Sequence, residues 1–444
     1  MTEFSGRKIT VMGLGLFGGG AGVTRYLAKR GARVTVTDLR TEEQLAKGLA
    51  LIDGLDVRRI IGEHREEDFA NADLVIVNPA VPPDSPFLEI ARQNGVPVET
   101  EINMMLRRLA TERVIGITGS NGKTTTTHLV HHMIRASGGR SHLGGNMGGS
   151  LLESLSDIRP RDVVVLELSS FQLERMDALG PAVAVITNIT PNHLDRHGTF
   201  EAYVESKARI VQQASALVIN ADDEVSCDRF EYSGIPLVKF SSRRSLEQGY
   251  CLENGWIVER WKGEERVLLE TDRVKLPGRF NAENLMAAVA GVRLLVDALP
   301  EAALSAGAAF PGVKHRLEVV GEKRGVTFVN DSIATTPISC EAALSALSGD
   351  ITLIAGGYDK GIPLDGMAEA VCRSARRVIV LGETGDLLLS SIRSTAERNG
   401  LAGPELSRAG NLEEAVKAAA ESAGPGATVL LSPGFASYDQ FLNF

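Results

Sequence analysis

The apolar run Val114-Ile115-Gly116-Ile117-Thr118 leads straight into Gly119-Ser120-Asn121-Gly122-Lys123-Thr124, and a helical pattern begins there. A strand that turns through glycines into a helix aims backbone N–H groups and the helix N-terminus at one point in space. That point suits a phosphate, with Lys123 meeting the β/γ-phosphates and the Thr124 hydroxyl ligating Mg²⁺. The common GxxxxGK[ST] spacing is not met, because Ile117 stands where its first glycine belongs. The strand–turn–helix order still requires a parallel sheet covered by helices.

The rest of the chain alternates in the same way. Lys8–Met12 reads as a strand, Gly13-Leu14-Gly15-Leu16-Phe17-Gly18 as a turn, and Arg33–Thr37 as a second strand ending at Asp38. Further strands are expected at Val57–Ile61 and Asp73–Asn78. After the central loop they are expected at Asp162–Leu168, Ala182–Asn188 and Leu217–Asn220. Residues 235–275 change to short, β-branched, turn-rich pieces, read as a small antiparallel insertion, and a helix near Ala282–Asp297 follows. A last series has strands at Thr327–Asn330, Ile351–Ala355, Val378–Leu381 and Thr428–Leu431, with Pro311-Gly312 as the hinge before it. At 444 residues this suggests three α/β domains, at 1–101, 102–312 and 313–444. The outer two are expected to be Rossmann-like and the central one a phosphate-loop domain with a parallel sheet.

Net charge of −9 argues against nucleic acid or an anionic membrane as partner. No stretch approaches the ~18–20 apolar residues of a membrane span, and the glycines in Ile9–Val23 fit a strand, turn and helix better than a signal peptide. The four cysteines form no CxxC pair or metal-ligand spacing. A cytoplasmic location, reduced thiols and a monomer are the expectation.

Gly13-x-Gly15-x-x-Gly18, with Asp38 twenty residues beyond, fits a dinucleotide fingerprint, although such a turn serves many ligands. Glu167, His193 and Lys207 fall at or after strand ends of the central unit, where a carboxylate or imidazole beside phosphate can bind Mg²⁺. Glu167 lies on an apolar strand, so burying it requires a partner. Alone, His193 or Lys207 reads as a helix cap or a solvated face. His128, His131 and His132, at helical spacing after the loop, read as packing or surface residues.

Several segments occur in order along nearly the whole chain. They are Thr118–Thr125 (TGSNGKTT), Gly144–Gly148 (GGNMG), Glu167–Glu174 (ELSSFQLE), Asn188–Asp195, Gly278–Asn284 (GRFNAEN), His315-Arg316, Asn330–Thr335 and Leu431–Phe444. Together they resemble the Mur ligases, which build the peptide of bacterial cell-wall precursors. ELSSFQLE and the terminal SYDQF resemble the glutamate-adding branch. The resemblance implies that Leu16, Phe17, Asp38 and Arg40 hold the UDP part of a UDP-N-acetylmuramoyl-L-alanine substrate, with Asn146, Ser169 and His193 beside its muramoyl-alanine. It places ATP on Gly119, Asn121, Gly122, Lys123, Thr124, Thr125, Asn281, Asn284, Arg316 and Asp331. Thr124 and Glu167 would face one Mg²⁺, and His193 with a carbamylated Lys207 a second, so that Lys123, His193 and Lys207 form the catalytic group. Thr335, Lys360, Ser437, Tyr438 and Phe444 match positions contacting glutamate, D- or L-. Ile333 departs from the lysine usual at the third position of Asp331–Thr335. Rival readings are a folylpolyglutamate-type ligase, a nucleotide-regulated binding protein and an NAD-dependent dehydrogenase.

Overall fold

Three sheets follow one another along the chain. The structure, a computed structural model, describes residues 3–16, 18–147, 149–177, 180–296, 298–359 and 361–441. The first sheet holds β1 (Lys8–Met12), β2 (Arg33–Asp38), β3 (Val57–Ile61), β4 (Leu74–Val77) and β5 (Val98–Glu99) in the order β3-β2-β1-β4-β5. All its pairings are parallel. The strand order reverses between β1 and β4, where open α/β sheets bind ligands at their carboxyl ends.

The second sheet comprises β6 (Val114–Thr118), β7 (Ser141–Gly145), β8 (Val163–Glu167), β9 (Val183–Ile186), β10 (Ala216–Asn220), β11 (Leu237–Ser241), β12 (Gly249–Glu253), β13 (Trp256–Trp261) and β14 (Glu264–Glu270). Its order is β14-β13-β12-β11-β10-β9-β6-β8-β7. Every residue of β6, β8 and β9 is buried, as expected for parallel strands covered on both faces. The helix Lys123–Ala136 turns Leu129, Val130 and Met133 inward, against the alanine-rich helix Arg279–Arg293. The antiparallel piece is narrower than the sequence suggests. β11 pairs in parallel with β10 and β12, and only β12, β13 and β14 form an antiparallel meander extending the sheet edge.

The third sheet contains β15 (Glu318–Lys323), β16 (Val326–Asn330), β17 (Ile351–Ala355), β18 (Ala375–Val380), β19 (Glu405–Arg408) and β20 (Thr428–Leu431), ordered β15-β16-β20-β17-β18-β19. It is parallel except for β15, which runs antiparallel to β16. The edge strands β5, β7, β15 and β19 have no counterpart in the sequence reading. β15 and β19 are polar and exposed, so they lack the apolar run that marks a buried strand. Gly312, at φ +98°, makes the turn that enters this last unit.

Ile115 is fully buried in β6, the strand that leads into the central loop. Ile115→Ala is expected to lower unfolding free energy by about 2–5 kcal/mol, measured by urea denaturation.

Candidate active site

The central loop is shaped by contacts only glycine tolerates. A Cβ on Gly119 would lie 1.9 Å from Thr187 Oγ1, and one on Gly122 would lie 2.3 Å from Asn284 Oδ1. Gly122 also takes a left-handed conformation, φ +84°, to start the helix. Strand β9 ends alongside. The Asn121 N–H donates to Asn188 Oδ1 (2.9 Å), and Thr187 Oγ1 donates to the Asn121 carbonyl (2.5 Å). Lys123 Nζ donates to the carbonyls of Gly119 and Ser120, both at 2.9 Å, which holds it over the loop.

Lys207 arrives from the helix Phe200–Ala208. It is 1% exposed, and its Nζ donates to the same Gly119 carbonyl at 2.8 Å and to Thr118 Oγ1 at 3.4 Å. Its Nζ lies 4.6 Å from the Tyr203 ring centroid. Burial, then repulsion from Lys123, holds the Lys207 pKa well below its usual value, with Glu167 opposing. The bland reading of Lys207 as a solvated side chain is therefore wrong: it is buried beneath the loop.

Glu167 ends β8, next to β6 in the sheet. Asn146 Nδ2 donates to its Oε1 at 3.0 Å, while Oε2 is buried without a hydrogen-bond partner. A buried, unpaired carboxylate oxygen beside a phosphate loop fits a hard divalent cation, and the Thr124 hydroxyl borders the same cleft. Among the described residues no cluster of three His, Cys, Asp or Glu side chains could hold a metal. Mg²⁺ characteristically completes its shell with water and substrate phosphate oxygens. His193, at φ +53°, caps the turn Leu194–His197, and its ring packs edge-on against Phe171 at 5.1 Å.

A single cleft of about 1700 Å³ gathers these groups with residues of the outer units. From the first unit it takes Leu16, Asp38 and Arg40; from the central one Asn121, Gly122, Lys123, Asn146, Ser169, His193 and Lys207. Arg316, Thr335 and Tyr438 come from the third. Asp38 is 3% exposed, and its carboxylate accepts from the Gly15 N–H (3.2 Å) and from the Arg40 N–H and guanidinium. It therefore fixes the glycine turn and Arg40. Ser169 caps the turn Ser170–Leu173 through Gln172.

Other expected residues stand behind this lining. Thr125 is buried with its hydroxyl unpartnered, and Asn284 joins Asn281 by a 3.2 Å bond while meeting Gly122. Asp331 accepts from Ser432 Oγ and the Leu317 N–H, and burial raises its pKa to about 6. Ser437 lies just outside the lining, beside Tyr438. Phe17, Lys360 and Phe444 lie outside the described residues.

The model descriptions that match the chain are the MurD-like N-terminal domain of Mur ligases at residues 7–100, the Mur ligase middle domain at 117–292 and the Mur ligase glutamate ligase domain at 315–435. The chain belongs to the Mur ligase family. It is 40% identical to the UDP-N-acetylmuramoylalanine–D-glutamate ligase of Geobacter metallireducens, covering 100% of this chain and 95% of that one. The protein of the same name from Symbiobacterium thermophilum is 41% identical, covering 98% and 95%. Among solved structures, the UDP-N-acetylmuramate–alanine ligase MurC of Thermotoga maritima superimposes with a TM-score of 0.63 at 21% identity, over 96% of both chains. E. coli FolC, solved with ADP, gives 0.57 at 18% identity over 76% of this chain and 90% of its own. The last two likenesses concern the fold alone.

Several cleft residues escaped the sequence reading, His128 and Glu101 among them. His128 lies one helical turn beyond Thr124 and is partly exposed on the cleft wall, a position that the packing-or-surface reading did not specify. That reading holds for His131, bonded to Ser141, and for His132, packed on Phe310. Glu101 also lines the cleft and accepts from Ser150 Oγ at 2.5 Å. A lone glutamate after Thr100 carries no motif. Burial raises its carboxyl to about 7, so the folded chain keeps a proton that the unfolded chain releases near 4.5. Stability is therefore lost as pH rises through that window. Glu101→Gln should raise Tm more at pH 8 than at pH 5; equal shifts at both would show the folded carboxyl already ionised.

Proposed function

We propose that this chain is an ATP-dependent ligase that joins D-glutamate to UDP-N-acetylmuramoyl-L-alanine in peptidoglycan precursor synthesis. The observation that carries the reading is the convergence, in one cleft, of the glycine turn with Asp38 and Arg40, the phosphate loop with Glu167 and Lys207, and Arg316 and Thr335 of the third unit. The names of the relatives, which span nearly their whole length, select the substrates. The MurD-like N-terminal match favours this over a folylpolyglutamate-type ligase.

In this reading residues 1–101 hold the UDP group, 102–312 bind ATP and Mg²⁺, and 313–444 bring glutamate. Leu16, Phe17, Asp38 and Arg40 serve the uridine diphosphate, and Asn146, Ser169 and His193 the muramoyl-alanine. Lys123 holds the transferring phosphates. Asn281, Asn284, Arg316 and Asp331 complete the nucleotide site, while Thr335, Lys360, Ser437, Tyr438 and Phe444 meet glutamate. The assigned residues come from one chain, so no second copy is needed.

Mur ligases use ATP and Mg²⁺. We assign one cation to Thr124 and Glu167 and a second to His193 and a carbamylated Lys207; bound there, they neutralise phosphate charge. A lysine amine reacts with CO₂ only when uncharged, and the buried Lys207 is held toward that state. Carbamylation replaces a cation with anionic oxygens that can face a metal.

The chemistry follows in two steps. A carboxylate oxygen of the alanyl substrate attacks the γ-phosphorus, forming an acyl phosphate as the bond to ADP breaks. The glutamate amine then attacks the acyl carbon, loses a proton, and expels phosphate with the C–O bonding pair. Negative charge develops on the phosphoryl oxygens and then on the tetrahedral carbonyl oxygen, where fixed cations such as Lys123 and Arg316 stabilise it.

The test is phosphate release with ATP, Mg²⁺, UDP-N-acetylmuramoyl-L-alanine and either glutamate enantiomer. D-Glutamate should support turnover, and release that ignores the UDP substrate would sink the proposal. Lys207→Ala should lower kcat by about 100-fold or more, with partial recovery on adding formate. Full activity of that variant would remove Lys207 from the catalytic group.

A further inference from the structure

Helix Pro337–Ala346 of the third unit touches the central unit at both ends. In its first turn, Ser339 Oγ donates to Asn121 Oδ1 of the phosphate loop at 2.9 Å. The same hydroxyl lies 2.8 Å from Thr336 Oγ1, the buried residue that precedes the helix. At the far end, Ala346 packs on Gly278, where an added Cβ would come within 2.7 Å of the alanine Cβ. Gly278 heads the helix that carries Asn281 and Asn284, and Asn284 abuts Gly122 of the phosphate loop. The third-unit helix therefore spans the starts of the two helices assigned to the nucleotide.

The Asn121 backbone does not depend on Ser339. Its N–H is satisfied by Asn188, and its carbonyl by Thr187 and Asn188. Among the described residues, it is the side-chain oxygen that bonds across to the third unit. Removing the Ser339 hydroxyl should leave the loop intact and loosen the third unit from it. That unit carries Arg316 and Thr335 into the cleft, and Arg316 is close enough to influence Lys123 electrostatically.

We propose that Ser339 is a positioning residue that latches the third unit onto the phosphate loop through Asn121, with Ala346 on Gly278 as the second point of the seat. This rests on the ligase reading above, because it makes delivery of the amino acid depend on that docking. Asn121 contributes to the latch through its side chain, while its backbone shapes the phosphate loop. The hydroxyl acts through Asn121 and touches no reacting atom.

The test pairs Ser339→Ala and Ser339→Thr with Ala346→Leu, which puts bulk where Gly278 makes room. Both positions are partly exposed, and urea denaturation checks that each variant folds. Ser339→Ala should lower kcat/KM for glutamate by roughly fivefold to tenfold, the scale of one neutral hydrogen bond, with Kd for ATP within twofold of wild type. Ser339→Thr, which keeps the hydroxyl, should restore it. Ala346→Leu should show the larger loss. Small-angle scattering of the ligand-free proteins gives a readout independent of turnover: the alanine and leucine variants should have a larger radius of gyration than wild type. Wild-type radii together with unchanged glutamate kinetics would overturn the latch, as would failure of threonine to restore the alanine defect. A parallel loss of ATP affinity in Ser339→Ala would make the residue part of the nucleotide site instead. Absence of turnover in wild type would remove the ligase reading, while the scattering would still decide whether the seat holds the two units together.

Discussion

The Gly119 carbonyl oxygen accepts from two lysines, Lys123 at 2.9 Å and Lys207 at 2.8 Å. Two ammonium groups so close inside a protein oppose each other, and burial penalises both. The conflict falls on Lys207, the more deeply buried, whose pKa is pushed the further down. Lys123 sits at the mouth of the loop, where an anionic ligand would relieve it. Burial thus lowers the pKa of both lysines, and the repulsion from Lys123 adds to the shift of Lys207.

That arrangement depends on the order of the central sheet. With β6 between β8 and β9, the loop after β6 has Glu167 on one side and Thr187-Asn188 on the other. Asn146, at the end of β7, then reaches Glu167 Oε1 and leaves Oε2 free. The absent side chains at Gly119, Gly122 and Gly278 let the neighbouring strand and helices close on the loop. A methyl group at Gly119 or Gly122 would strike a polar atom that holds the loop in shape, so these glycines serve packing as well as backbone conformation.

Buried strands were the most legible part of the chain. Val163-Val164-Val165-Leu166 reads as a strand because both its faces are covered, and Lys8–Met12, buried over Ile9–Met12, coincides with a strand in the fold. Glu318–Lys323 has no such signature, since an exposed edge strand need not be apolar; its partner β16 determines it. The loop and Glu167 were legible because strand–glycine–helix order and a lone acid on an apolar strand each carry a physical meaning. Lys207 was legible only through resemblance, because nothing local says that the helix Phe200–Ala208 turns it inward. Ser339 and Asn121 are 218 positions apart, and no local pattern could pair them.

The location of the cleft follows from chain direction. Asp38 ends β2, Glu167 ends β8, and the Asp331–Thr335 segment follows β16, so each unit presents the carboxyl end of its sheet. Open α/β sheets bind ligands at that end, and three of them facing one another make a site that none supplies alone. The charges assembled there include Lys123, Arg316 and Arg40 against Glu167 and Asp38, with Asp38 already bonded to Arg40. While Glu43, Lys47, Asp84, Glu101 and Lys207 line the rest of the cleft, this leaves beside the phosphate loop the cations Lys123 and Arg316 and one Glu167 carboxylate oxygen without a donor. A polyphosphate accompanied by a divalent cation complements both, whereas either partner alone leaves one of those charges unanswered.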